Sequence, residues 1–461
     1  MNTKNTILIG LGPHAKRIYL NLIKRNNINL VYIVELRSNE QTLEQYLKEN
    51  NINVKVYYID DKEKFYDKLS SKVQSDLSKI LKNENIEYCI ISTEPKAHFS
   101  YAKFMLKNNI NILMDKPITS PIDAISTIKG CNKIKRDYDV LLSLYKKANC
   151  NFTIQCQRRF HPGYIYVKKL ISKVIEEYNV PITYIDIYHS DGMWNMPNEF
   201  FSRENHPYKY GYGKLFHSGY HFVDILTWLL ECNNIIDNKI NNAKIYTSVF
   251  KPNDFFTTIN EKTYLKLFNT KKFNDILKNK ESVKNFGELD IHSMIDFKAD
   301  NDIITHCTFN LLQSGFSRRA WLDLPKDTYK SNGRVRHERI NIQLGPLLNV
   351  QIHSYQSDQR LKNKNKRYDV GEMDNFDIYI FRNVELIGGK SFEKISINKL
   401  IKNDDFLGNN EKAREICFKN FYDNKKGDSD FIKHQQSILL LKKICESIVK
   451  KSNIKFKWEW I

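Results

Sequence analysis

Apolar positions follow two regimes along the chain. Up to about residue 150, short unbroken apolar runs alternate with amphipathic stretches. Thr6 to Gly10 reads as a buried strand, and Ile18, Leu20, Leu22 and Ile23 mark a helix after it. Leu30 to Val34 is a second strand ending in Glu35, and Asn53 to Ile59 a third. The polar stretch Lys62 to Asn83 reads as helical. Tyr88 to Thr93 is a buried-type strand running into Glu94-Pro95. A helix from His98 to Lys107 and a strand from Asn111 to Met114, ending in Asp115-Lys116-Pro117, complete the pattern. Such alternation predicts a parallel sheet with right-handed crossovers and ligands at its carboxyl ends, where Gly10, Glu35, Thr93 and Lys116 fall. Beyond residue 150 the period shortens to two. The runs Ile182 to Trp194, Leu289 to Lys298, Ile303 to Gln313 and Ile340 to Ile352 predict a mainly antiparallel sheet with one covered face. Residues 251–288 are polar and rich in Lys and Asn, an insertion or elaborated loop.

The first strand opens into Gly10-Leu11-Gly12-Pro13-His14-Ala15, a G-x-G-x-x-A turn, and the second ends in an acid. This is the fingerprint of a Rossmann dinucleotide site. Gly10 permits the tight turn, Gly12 lets backbone approach a pyrophosphate, and Ala15 allows close helix–strand packing. The helix start, with Pro13 and His14, offers N–H groups to phosphates. Glu35 suits the adenosine ribose hydroxyls and favours NAD, because a carboxylate repels a 2′-phosphate. Arg37 and Ser38, just beyond it, can receive that phosphate, so NADP stays open. The expected class is an α/β Rossmann domain (1–149) followed by an α+β domain with a large, mainly antiparallel sheet (150–430). The last helix, Phe431 to Lys451, is expected to pack near the first domain.

Composition narrows the partners. The 461 residues carry a net charge of +19, mostly from Lys scattered along the chain, without an Arg cluster or a nucleic-acid-binding motif. This reads as a solvated surface that also attracts anionic cofactors or substrates, not as a nucleic-acid footprint. No apolar run is long enough for a membrane span, and no signal peptide is read, so a cytoplasmic protein is expected. The eight cysteines form no C-x-x-C pair and read as reduced thiols.

Five segments, in order, resemble the Gfo/Idh/MocA oxidoreductases, the glucose-fructose oxidoreductase and inositol dehydrogenase family. They are I-L-I-G-L-G-P-H-A at Ile7 to Ala15, I-S-T-E-P-K-A-H at Ile91 to His98, and I-L-M-D-K-P-I-T at Ile112 to Thr119. The others are Q-C-Q-R-R-F at Gln155 to Phe160 and G-Y-G-K-L-F-H-S-G-Y-H-F-V-D at Gly211 to Asp224. The third matches the family's E-K-P motif with Asp for Glu. The fifth matches G-G-G-x-L-x-D-x-G-x-H-x-x-D, with His217 where the family has its first acid and Tyr212 for a glycine. The likeness covers residues 1 to about 235, is weak to about 425, and returns at the last helix.

The resemblance implies hydride transfer between NAD or NADP and a secondary alcohol or ketone of a sugar, cyclitol or related polyol. It implies that Lys116 reaches the substrate hydroxyl, where an ammonium stabilises developing alkoxide. His221 is the candidate general base, since an imidazole titrating near about pH 6.5 accepts a carbinol proton as hydride leaves. Thr93, Glu94, Pro95 and His98 join the cofactor side; for His98, bracing near the turn is the alternative. Arg159, His189, Trp194, His217 and Asp224 are candidate substrate residues. Arg159 reads equally as a structural ion pair, Trp194 as packing and Asp224 as an ordinary helix acid. His217 and His221 lie four apart, but two histidines alone do not define a metal site, and none is expected. The resemblance also implies that the open sheet face pairs with another subunit, giving a homodimer or homotetramer. Two alternatives remain: an enzyme that keeps NAD bound and oxidises transiently for glycosidic cleavage or epimerisation, and a non-catalytic sensor on the same fold.

Overall fold

The structure is a computed structural model and describes residues 4–203, 207–317, 319, 334–357, 375–401 and 410–460. The chain forms two compact units. One comprises residues 1–121, 133–160 and 410–438; the other comprises 122–132, 161–409 and 439–461.

The first unit is built on a six-stranded parallel sheet of order β3-β2-β1-β4-β5-β6. Its strands are β1 (Asn5–Ile9), β2 (Asn29–Leu36), β3 (Lys55–Ile59), β4 (Tyr88–Ile91), β5 (Asn111–Met114) and β6 (Phe152–Ile154). Ile7, Leu8 and Ile9 of β1 and Cys89, Ile90 and Ile91 of β4 are all buried. These strands are covered on both faces, which explains their unbroken apolar runs. The expected helices form, with shifted ends. The polar stretch after β3 opens with a 3-10 helix (Asp61–Phe65) and becomes α-helical at Ser71, where the Ser70 hydroxyl accepts from Val73 N. The helix after β4 starts at Pro95, three residues earlier than read, because proline is well suited to a first helical position.

The helix Glu411–Tyr422 closes one side of this unit. Its Phe418, Phe421 and Tyr422 share a core with Leu8, Ile33 and Ile90. Phe431 stacks on Phe152 at 4.3 Å and on Tyr138 at 4.7 Å. The helix Gln435–Lys450 follows it, and the division between the units falls inside that helix, after Ile438.

The second unit carries a nine-stranded mixed sheet, mostly antiparallel, of order β14-β13-β12-β11-β7-β10-β9-β8-β15. The strands are β7 (Tyr184–Ser190), β8 (Asn242–Phe250), β9 (Asp290–Ala299), β10 (Asp302–Leu312), β11 (Val335–Leu344), β12 (Leu348–Ser357), β13 (Asn375–Arg382), β14 (Phe392–Ser396) and β15 (Ile454–Lys457). Among the described residues, only β7 and β10 of this sheet pair in parallel. Alternate residues of β9 and β10 are buried, as a sheet covered on one face requires. The run Ile340 to Ile352, read as one strand, is a hairpin. It turns at Gly345, whose φ of +45° a side chain rarely adopts.

Residues 251–288 are not a loop. They form the helices Pro252–Thr258, Glu261–Phe268 and Asn274–Lys278. Phe255, Phe256, Tyr264, Phe273 and Leu277 pack with Met196, Phe200 and Tyr208 into a separate aromatic core. The Lys- and Asn-rich composition marks only the outer faces of these short helices. Phe256 is fully buried, so Phe256→Ala should destabilise this region by ~3–5 kcal/mol. Chemical denaturation should then show an early transition between residues 251 and 288, measurable by hydrogen exchange.

Candidate active site

In the first unit the candidate residues stand at the carboxyl ends of the parallel strands. Gly10 has a φ of +86°, and a Cβ there would lie 2.7 Å from the Ser92 carbonyl oxygen, so only glycine fits the turn. Gly12 is the opposite case. A Cβ built on it meets nothing within 4 Å. No side chain caps the helix that begins at Pro13. A tight turn below and open space above are what a pyrophosphate requires, so these residues fit the dinucleotide that the fingerprint implies.

Glu35 is buried and tied into the turn. Its Oε2 accepts from Leu11 N at 2.7 Å, and its Oε1 from Leu36 N at 2.8 Å and Asn39 Nδ2 at 3.2 Å. The carboxylate keeps acceptor capacity for a ribose. Arg37 and Ser38, the alternative phosphate partners, are engaged with acceptors. Arg37 donates to Glu40 at 3.2 Å and to the Tyr58 carbonyl at 3.4 Å, and Ser38 donates to Asp61 at 2.7 Å.

Lys116 follows β5 and precedes Pro117, and both flanks are fixed. Asp115 accepts from the Tyr19 hydroxyl at 2.5 Å and from Ser92 Oγ at 2.6 Å. His98 is fully buried, with Nδ1 2.8 Å from the Pro117 carbonyl oxygen and Nε2 3.2 Å from that of Thr93. Burial holds its pKa below the ordinary histidine value. The ring thus braces the turn after β5 against the turn after β4, which is the bracing reading of His98. Thr93, Glu94 and Pro95 form the turn it braces. His14 is exposed, with Nε2 3.9 Å from Asp115 Oδ1. Arg159 spends its guanidinium on the carbonyls of Asp428 at 2.8 Å and Lys433 at 3.2 Å. Both of these contacts are to backbone carbonyls.

The second unit holds the Gly211 to Asp224 segment. The chain passes Gly211 and Gly213 and makes a π-turn (Leu215–Gly219), closed by Gly219 N on the Lys214 carbonyl at 2.9 Å. It then enters the helix Tyr220–Leu230. Such turns recur at functional sites. His217 lies in the π-turn and His221 in the first helical turn, both mostly buried; Asp224 is 1% exposed, so it is no helix-surface acid. Gly213 lies against Glu288, where an added Cβ would sit 2.3 Å from the backbone nitrogen, the backbone oxygen and Oε2. Lys214 N donates to the Glu288 carbonyl at 2.9 Å, and Leu215 N to Glu288 Oε1 at 2.7 Å.

His189 and Trp194 each pack against an aromatic ring. The His189 ring stacks on Phe222 at 4.3 Å, and Trp194 packs on Phe268 at 5.4 Å. Two residues escaped the sequence reading. Lys214 is fully buried, with Nζ 2.5 Å from Asp191 Oδ2, and Arg334 hydrogen-bonds the other oxygen of Asp191. A lysine inside an otherwise apolar run was a signal for the first. Arg334, 143 residues from Asp191, gave none.

With this geometry, the comparisons define the class. Residues 5–138 match the model of the Gfo/Idh/MocA oxidoreductase family, NAD-binding Rossmann fold. The first unit thus resembles the NAD-binding Rossmann domain of that family over residues 5–138, and the cofactor class is a nicotinamide dinucleotide. A comparison with curated protein sequences gives no match. Among solved structures, the fold is similar to an oxidoreductase domain protein from Kribbella flavida (TM-score 0.61, 10% identity, 99% of each chain covered). It is also similar to an Agrobacterium radiobacter oxidoreductase in complex with NAD+, L-tartaric acid and magnesium (TM-score 0.57, 10% identity, 98% of each chain). A third is the WlbA dehydrogenase of Bordetella pertussis in complex with NADH and UDP-GlcNAcA (TM-score 0.56, 14% identity, 99% of this chain and 100% of that one). At these identities the likeness establishes the fold. No helix among the described residues is long and apolar enough to cross a membrane.

Gly213→Ala should destabilise the second unit by about 4 kcal/mol or more, since the obstacle is largely backbone; thermal unfolding followed by circular dichroism measures it. Glu288 gives a pH-dependent counterpart. Burial pushes its carboxyl up to about 7, against the opposing hydrogen bond from Leu215 N. The folded chain therefore holds a proton that the unfolded chain releases. Stability falls as pH rises from about 4.5 to 7 and is level beyond. Glu288→Gln keeps an acceptor for Leu215 N. It should match the parent near pH 4.5 and exceed it above pH 7, by up to about 3 kcal/mol, in denaturant titrations across that range.

Proposed function

We propose that the protein transfers a hydride between a nicotinamide and a secondary alcohol or ketone of a sugar, cyclitol or related polyol derivative. The observation that carries this reading is the braced turn after β5. Asp115 and His98 hold the chain on both sides of Lys116, at the sheet edge that also bears the Gly10–Gly12 cradle. When bound, the nicotinamide supplies the hydride acceptor or donor. Lys116 hydrogen-bonds the substrate oxygen and stabilises its developing negative charge. His221 takes the hydroxyl proton as the alcohol is oxidised and returns it in the reverse direction. His217 and Asp224 act from the same segment as substrate-side residues. The L-tartaric acid and UDP-GlcNAcA bound in the similar structures support a polyol-like substrate class.

NAD is the proposed cofactor over NADP. Glu35, Glu40 and Asp61 line the end of β2 and its surroundings with carboxylates, and both Arg37 and Ser38 already donate to them. A 2′-phosphate there has to displace these pairings and face three like charges. The polar, open face of the nine-stranded sheet is proposed to pair with a second copy, giving a homodimer or homotetramer in the cytoplasm.

Fluorescence titration should show NAD binding at least about tenfold more tightly than NADP, a difference of roughly 1.4 kcal/mol. Equal or reversed affinities overturn the cofactor assignment. On a polyol panel followed by nicotinamide absorbance, Lys116→Ala and His221→Ala should each lower turnover by ~10²-fold or more. Full activity in either variant removes that residue from the mechanism.

A further inference from the structure

The buried ammonium of Lys214 sets the chemical state of a neighbouring histidine. Its Nζ lies 2.8 Å from His189 Nδ1, 2.5 Å from Asp191 Oδ2 and 2.9 Å from Ser218 Oγ. An ammonium has three hydrogens to donate and no lone pair to offer. Ser218 donates its own hydrogen to Asp191 Oδ2 and so presents lone pairs to Lys214. Asp191 receives further support from Arg334, whose Nε also donates to the Asp191 carbonyl at 3.1 Å. Arg336 Nε at 3.7 Å and His217 Nδ1 at 3.8 Å complete the surroundings of this carboxylate. Pairing at such distances, out of contact with water, keeps Lys214 and Asp191 in their charged forms.

We propose that Lys214 is a positioning residue that fixes His189 as the neutral imidazole with its single hydrogen on Nε2. The contact at 2.8 Å requires a lone pair on Nδ1, because the ammonium can only donate. A second proton on His189 would set one N–H against another and place two cations together in a buried site. Groups on the neighbouring elements also face His189. From the helix Tyr220–Leu230 comes the apolar ring of Phe222, stacked at 4.3 Å. Across β10 stands Leu311. Opposite on β11 stands Glu338, which accepts from the Tyr164 hydroxyl. Asp191 is the near carboxylate, and it is shared among Lys214, Arg334 and Ser218.

His189 is thereby withdrawn from proton transfer, which leaves that work to His221 or His217. This consequence rests on the proposed oxidoreductase reading; the tautomer does not. The test therefore uses the full chain without turnover. Histidine is labelled with ¹⁵N, and its ring resonances are followed from about pH 5.5 to about pH 8.5, a range spanning the ordinary histidine value of about 6.5. The His189 signals are those lost in His189→Gln. The expected result is an unprotonated Nδ1 and a protonated Nε2 that do not change across the range. In Lys214→Met, His189 should begin to titrate near about pH 6.5. Titration of His189 inside that window in the parent protein, or a hydrogen on its Nδ1, overturns the assignment. If Lys214→Met does not fold, the parent spectra decide alone.

Discussion

The backbone of Gly213 lies so close to that of Glu288 that no side chain fits between them. Most of what positions the chemistry of the second unit follows from that contact. With the two segments pressed together, Lys214 N and Leu215 N both reach Glu288. The chain must then turn at once into the π-turn and the helix that carry His217 and His221. The turn also sends Lys214 inward, where Asp191 and His189 meet it at the end of β7. A glycine, a buried acid and a buried lysine thus form one unit of structure. Loosening any of them moves two histidines.

The cost of this arrangement is concentrated in buried charge. Asp191 is fully buried, and so are Lys214 and nearly all of Arg334. Ions so removed from water lose several kcal/mol of solvation each, and only close, well-aligned partners offset it. The short contacts around Asp191 supply that alignment. Glu288 follows the other route, and burial favours its protonated form. The first unit places the His98 ring between two backbone carbonyls, and as a neutral imidazole it donates to one of them.

Local signals carried the first unit. The Thr6 to Ala15 run, Glu35 at the end of β2 and the Asp115-Lys116-Pro117 turn each occupy a few consecutive residues, and the parallel sheet follows from their alternation. The nine-stranded sheet was legible as alternation too, except where a tight turn at Gly345 hid inside one continuous apolar pattern. Long-range pairing was not legible. Lys214 and Asp191 are 23 residues apart and Arg334 is 143 from Asp191, so nothing local announces that they meet. The helices between 251 and 288 were masked for a different reason. Their aromatic residues are few per helix and pack on Met196, Phe200 and Tyr208 from elsewhere, while Lys and Asn dominate the count. Trp194 packs on Phe268, a neighbour that the sequence alone does not reveal.

The insertion returns its chain directly into Gly287 and Glu288. The exposed positions of its far end, such as Leu265 and Leu267 in the helix Glu261–Phe268, can therefore drift without disturbing the aromatic core or the histidine-bearing turn. Its last two residues cannot drift in that way. A chimera that exchanges this lobe for one of another size will keep the histidine-bearing turn in place only if its downstream junction preserves that glycine–glutamate step.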